Sequence, residues 1–235
     1  ATRSDHGASE LRDDLVEALR TGIQSFDCDV LDNTLGEFHE QKISSETIID
    51  TYIPAVARLI GEAWCSDQMS FAEVTIGSAR LQAIVRDLAP NISADTVNPL
   101  NTASVVIVVR DGEHHTLGAV IAANQLRRNG ISVQLMIGAG DTEIVRTIAA
   151  KDFDVVAISA SSGETVSTVS ALIRSLRATF DKEIPIALGG SIVGMVDDLQ
   201  ARTGADIVTN ETSEILQLCG LATQPMHAAL PDVRG

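Results

Sequence analysis

The chain has 235 residues, of which 45% are hydrophobic and only 3% aromatic, and a net charge of −15. That length allows one large domain or two small ones, with aliphatic cores. The charge argues against direct binding to nucleic acid, which needs basic surface to displace counterions, and against an anionic membrane surface; a basic protein partner or a neutral ligand fits better.

No apolar run approaches the roughly 20 residues that a membrane-spanning helix needs. The polar start, Ala1 to Gly7, lacks the apolar segment of a secretory signal. Cys28, Cys65 and Cys219 are odd in number, far apart and form no C-x-x-C pair, a pattern of reduced thiols in a cytoplasmic protein.

In chain order, residues 1–8 read as a disordered tail. A helix is expected from Ser9 to Phe26, with Leu11, Leu15, Ala18, Leu19 and Ile23 on one face. A second covers Asp29 to His39, where His39 suits the negative end of the helix dipole. Ser45 is expected to cap a long third helix that buries Ile49, Ile53, Val56 and Ile60 and closes at Trp64. Ser70 and Glu73 form an S-x-x-E capping box that opens a fourth helix, Phe71 to Leu88. Residues 9–90 thus predict a four-helix bundle. Residues 91–102, rich in Asn, Ser and Asp, read as a linker.

Beyond the linker, strands and helices alternate. Strands are expected at Ser104–Arg110, Ser132–Ile137, Val155–Ser159, Ile184–Leu188 and Asp206–Val208. Helices are expected at Leu117–Asn129, Thr142–Lys151, Thr165–Phe180, Ile192–Thr203 and Thr212–Leu218. Five βα units across residues 103–220 predict a doubly wound, five-stranded parallel sheet, Rossmann-like or flavodoxin-like, with strand order 2-1-3-4-5. Residues 221–235 form a C-terminal tail.

The first strand, an unbroken β-branched run, breaks into Arg110-Asp-Gly-Glu-His-His-Thr-Leu-Gly118, at the carboxyl end of the sheet where ligands bind. His115 stands just before a helix start, where a positive charge is disfavoured, and a neutral imidazole is what a metal takes. Glu113 is placed to hold the ring nitrogen turned away from the metal. Gly118 lets the helix backbone approach a bulky ligand. A solvated turn with incidental histidines explains this run equally well. Zinc fits poorly, because it wants three or four protein ligands and only Asp111, Glu113, His114 and His115 cluster here. The other strand ends carry small residues: Gly138-Ala-Gly-Asp141, Ser159-Ala-Ser-Ser-Gly163 and Gly189-Gly-Ser191. Each is ordinary turn punctuation alone, and together they favour a cleft. Gly138-Ala-Gly140 follows the second strand and is only a fragment of the dinucleotide fingerprint, which argues against a nicotinamide site.

A helical bundle, a linker and a five-unit sheet with His-x-x-Gly after its first strand resemble the cobalamin-binding module, with its Asp-x-His-x-x-Gly, Ser-x-Leu and Gly-Gly motifs. The matching residues are Glu113, His115 and Gly118, then Ser159 with Ser161, then Gly189 and Gly190. Glu replaces Asp and Ser replaces Leu. The resemblance implies that His115 is the lower axial ligand of base-off cobalamin and that Glu113 supports it. It implies a nucleotide tail running past Ser159, Ser161 and Gly189-Gly190, with Thr116 and Gly118 lining the cofactor. It also implies that the bundle caps the corrin, with Trp64 at the family's tryptophan position. Light-sensing CarH-type regulators place Glu-His ten and eleven residues after that tryptophan, whereas Val74 and Thr75 stand here. Gly61 to Gln82 is instead similar to the AerR/PpaA antirepressors of purple photosynthetic bacteria and to the C-terminal sensor domain of AppA.

This resemblance implies a cytoplasmic, non-enzymatic regulator that binds cobalamin, responds to light and acts on a PpsR/CrtJ-type repressor without touching DNA. Hydroxocobalamin would bind well after photolysis of the adenosyl form. An upper cobalt ligand would have to come from outside the motif, with His6 first, ahead of His39 and His227. The alternatives are a corrinoid protein carrying a methyl group in a methyltransferase system and a haem-binding redox sensor.

Overall fold

The computed structural model describes residues 11–89, 103–162, 165–179 and 184–220. The expected tails, the linker, His6 and His227 lie outside these residues. The chain divides into two compact units, residues 1–90 and 91–235.

In the first unit, α1 (Asp13–Gln24) buries Leu15, Val16, Leu19 and Ile23. Helix α2 (Cys28–Glu40) starts from Asp27, whose carboxylate accepts the Asp29 N–H. The two helices meet at Gly22, where a Cβ would lie 3.2 Å from Leu31 Cδ1 and 3.3 Å from Thr34 Oγ1. Phe38 of α2 packs edge-on against Tyr52, with ring centroids 4.8 Å apart.

The third helix differs from expectation in two ways. Ser44, not Ser45, is the N-cap, its hydroxyl accepting the Thr47 N–H at 3.1 Å. The helix is also not uniform: α3 (Ser45–Thr47) passes into a π-helical turn, Ile48–Tyr52, before α4 (Ile53–Cys65). Pro54 supplies the reason. It has no N–H for the carbonyl of Asp50 and its ring crowds that carbonyl, so the backbone takes up an extra residue and Ile53 N–H donates to Ile48 O. Helix α5 (Phe71–Leu88) opens with the expected capping box, Ser70 and Glu73 each bonding the other's backbone.

The second unit is a five-stranded parallel sheet in the order β2-β1-β3-β4-β5. Its strands are β1 (Ser104–Arg110), β2 (Ser132–Ala139), β3 (Val155–Ser159), β4 (Ile186–Gly189) and β5 (Ile207–Val208). The helices are α6 (Leu117–Arg128), α7 (Asp141–Ala149), α8 (Val166–Thr179), α9 (Leu199–Thr203) and α10 (Thr212–Leu218). Strand β1 is buried on both faces, which is why it reads as a continuous apolar run. Val105, Ile107 and Val109 pack under α6 and α10, whereas Val106 and Val108 pack under α7, α8 and α9. Each such side chain contributes roughly 1.5–3 kcal/mol by leaving water. Strand β4 starts two residues later than expected, because Pro185 has no N–H to give the ladder and serves it only through its carbonyl, which accepts from Val156 N.

The helix expected over Ile192–Thr203 shortens to Leu199–Thr203. Gly194 and Asp198 take positive φ, +88° and +55°, which no helix accommodates. The chain instead turns on Gly190 (φ +100°), and Ile192 N–H bonds Ala160 O. A Cβ on Gly190 would lie 2.2 Å from Ala160 O, whereas one on Gly118 would meet nothing within 4 Å. Gly190→Ala is therefore expected to cost about 2 kcal/mol or more in urea unfolding. Gly118→Ala, inside the first turn of α6, should leave stability unchanged or raise it by up to about 1 kcal/mol.

Candidate functional site

The site is built where β1 ends. The β1–β2 register slips between Val109 and Arg110, and Gly138 opposite takes φ +71°, so the strand end is bent by a bulge. Arg110 then forms a two-pronged ion pair with Asp141 at the start of α7, Nε to Oδ1 at 2.8 Å and Nη2 to Oδ2 at 3.0 Å. A tight turn follows, closed by Glu113 N–H on Arg110 O at 3.1 Å, with Gly112 at φ +80°. This turn reverses the chain and directs Glu113 back over the sheet.

The Glu113 side chain is only 7% exposed. One oxygen, Oε1, accepts from His115 N and from His115 Nδ1, both at 2.8 Å. The other, Oε2, accepts from Ser161 N at 3.0 Å and Ser161 Oγ at 2.6 Å. Burial pushes this carboxyl up, but the hydrogen bonds from Ser161 and His115 outweigh it and hold the group below the ordinary carboxylate value. An ionised carboxylate can only accept, so Nδ1 must carry the proton. The lone pair of a neutral ring is then on Nε2, and the His115 side chain is 67% exposed. One buried acid thus fixes the tautomer and orientation of one accessible imidazole.

The remaining expected residues fall into distinct roles. Thr116 is the N-cap of α6, though its side chain makes no capping bond. Gly118 presents open space at the first turn of that helix. Ser159, half-buried, pairs across the sheet with Val109 and Gly189. Ser161 directs both its donors at Glu113 while its carbonyl accepts from Ser191 Oγ. The glycine pair is required by the protein's own backbone: a Cβ on Gly189 would lie 2.7 Å from Thr209 O, and Gly190 N–H donates to Asn210 Oδ1 at 2.8 Å. Trp64 is the last residue but one of α4 in the helical unit and is 45% exposed. Cys65 and Cys219 are free thiols, and burial pushes Cys219 up to about 11.

Two contributors escaped the sequence reading. The Arg110–Asp141 pair joins a strand end to a helix start 31 residues later, and Asn210 reaches from beyond β5 to the Gly-Gly turn. A strand-ending Arg and a helix-opening Asp were the only signals of the first, and nothing in the local pattern announces the second.

Among the described residues no three His, Cys, Asp or Glu side chains converge to hold a metal ion. A single presented imidazole instead suits a metal that arrives with its equatorial ligands already supplied by a macrocycle. Residues 103–219 match the B12 binding domain family. The chain is also 38% identical, over 186 residues, to the "Uncharacterized 20.5 kDa protein in bchF-crtJ intergenic region" of Rhodobacter capsulatus, spanning 79% of this chain and 97% of that protein.

The chain belongs to the B12-binding domain family.

The alignment with the R. capsulatus protein is longer than the stretch from residue 103 to the end of the chain, so the similarity reaches into the helical unit. The monomethylamine corrinoid protein of Methanosarcina barkeri has a similar fold. Its TM-score is 0.68 at 15% identity, covering 87% of this chain and 96% of that one. Among the described residues, no helix is long and apolar enough to cross a membrane.

A carboxyl held below its ordinary value of 4.5 adds stability above that pH and loses the contribution as pH falls through the lower, folded-state value. The stability gap between the native chain and Glu113→Gln, measured by urea unfolding, should therefore be constant above about pH 5 and shrink below 4.5.

Proposed function

We propose that this chain is a cobalamin-binding, light-responsive transcriptional regulator, an antirepressor that acts through a PpsR/CrtJ-type DNA-binding repressor. The observation that carries the regulatory half is the relative named for the bchF-crtJ interval, whose similarity extends beyond the B12-binding region. The cofactor half rests on the Glu113–His115 pair within the family-matched residues.

In this reading His115 Nε2 would hold the cobalt. Glu113 holds the ring and keeps its other nitrogen protonated, and Ser161 keeps Glu113 ionised while tying it to the loop after β3. Thr116 and Gly118 border the cofactor at the start of α6, with Ser159, Gly189 and Gly190 beside its nucleotide tail. His6, outside the described residues, would be the first choice for a second protein ligand. The cofactor would supply light sensitivity through the cobalt–carbon bond of its adenosyl form, a bond that hydroxocobalamin lacks. The protein's part is to favour one ligand state over another and so bias its own conformational equilibrium. The net charge of −15 suits engagement of a DNA-binding protein rather than of DNA.

The fold shared with the monomethylamine corrinoid protein supports a second reading, a methyl-carrying corrinoid protein, less specifically. Haem is the other candidate cofactor.

Spectra of the full chain loaded with hydroxocobalamin or adenosylcobalamin, in darkness and after green light, test the proposal. The expected outcome is retained corrin absorption with hydroxocobalamin, loss of it in His115→Ala, and release of the repressor from its operator by the loaded native chain. Glu113→Gln should weaken retention roughly 10–100-fold. A Soret band on adding haem, with no corrin uptake, would instead favour the haem reading. Demethylation of a methyl donor in the presence of a partner enzyme would favour the methyl carrier.

A further inference from the structure

Helix α2 turns one broad face to solvent. Asp29, Asp32, Glu37 and Glu40 are exposed on it together with Asn33 and His39, while Thr34 and Phe38 are buried on the opposite side. The helix contains no lysine or arginine. Among the described residues none of these four carboxylates has an ion-pair partner. Elsewhere in the unit Asp14 pairs with Arg12, Glu17 with Arg20 and Glu62 with Arg58, and Glu73 closes its own helix cap. The stripe does not serve the helix either, because Glu37 and Glu40 lie in its last turns, where the macrodipole disfavours negative charge.

An independent feature adjoins the N-terminal end of this face. Phe26, one of seven aromatic residues in the chain, is 91% exposed. Its backbone is held in place. Ser25 Oγ accepts from Asp27 N at 3.0 Å, and Arg80 of α5 donates to Ile23 O at 2.7 Å and also to Ser25 O. The ring is therefore presented from an ordered turn, which lowers the entropic cost of using it as an anchor.

We propose that this face of α2, with Phe26 at its end, is the docking surface for a basic protein partner. That partner would be the lysine- and arginine-rich, DNA-contacting surface of a DNA-binding protein, carrying an apolar recess that takes the phenyl ring. The carboxylates extend along the helix over about 17 Å at 1.5 Å per residue and give that surface an alternative to the phosphate backbone. Phe26 supplies the apolar contact that distinguishes the partner from any other cation-rich surface. The inference rests on the regulatory reading above and assigns its partner surface.

The test titrates the full chain, loaded with hydroxocobalamin, against a CrtJ-type repressor at two salt concentrations, following binding by calorimetry and operator release by DNA anisotropy. Two variants are compared with the native chain: Asp32→Asn/Glu37→Gln/Glu40→Gln, which leaves the dipole-favoured Asp29 in place, and Phe26→Ala. Each is expected to bind the repressor about tenfold more weakly or worse. The triple variant should also lose part of the salt dependence. Thermal midpoints and corrin spectra should match those of the native chain. If the native chain binds and either variant binds as tightly, this surface is wrong and the regulatory reading stands. If the native chain fails to bind the repressor, loaded or unloaded, both fall together.

Discussion

A single buried carboxylate holds the candidate site together. Glu113 accepts four hydrogen bonds, two from His115 and two from Ser161, so the turn after β1 and the loop after β3 meet on one side chain. An ionised carboxylate taken this far from water would be costly if left unpaired, and a nearly full set of donors offsets that cost. The same bonds decide the chemistry next door. A deprotonated acid facing Nδ1 leaves the accessible nitrogen of His115 as the one able to bind a metal. The acid that joins two strand ends also sets the tautomer of the exposed imidazole.

The loops around this centre are arranged by backbone contacts more than by side chains. Gly189 and Gly190 are glycines because Thr209 and Ala160 approach their α-carbons too closely for any other residue. Gly118 is different. Among the described residues nothing lies within 4 Å of where its Cβ would stand. Two glycine motifs that look alike in sequence thus have opposite explanations, one internal to the fold and one consistent with room for a cofactor. The Arg110–Asp141 pair completes the frame by fastening the root of the histidine turn to the neighbouring βα unit.

Charge is distributed unevenly over the helical unit. In α1 and α4, Asp14, Glu17 and Glu62 each pair with an arginine two to four residues away, whereas the acids of α2 have no ion-pair partner among the described residues. Helix stability alone accounts for the first arrangement and is worked against by the second. An exposed aromatic on a braced turn beside the unanswered face gives that acidity a direction.

Much of this architecture is legible in the chain itself. The β-branched run at Val105–Val109 announces a strand buried on both faces, and alternation with amphipathic helices sets the sheet and its strand order. Ser70 with Glu73, spaced for a capping box, marks a helix start to the residue. These are local or periodic signals, and local chemistry suffices to write them. The glutamate two residues before His115 is equally visible, because a hydrogen bond across one turn needs no distant partner.

What the sequence could not decide depends on residues far apart in it. The Pro54 register shift turned a uniform helix into α, π and α segments. The left-handed residues Gly194 and Asp198 dissolved most of a helix that apolar spacing had suggested. Only the folded chain brings Ser161 to Glu113, Asn210 to Gly190 and Asp141 to Arg110, across 48, 20 and 31 residues. The sequence by itself determined which strands form, in what order, and which imidazole is offered. The tertiary structure decided how that imidazole is held, because the partners that hold it are brought together only by the crossovers of the sheet.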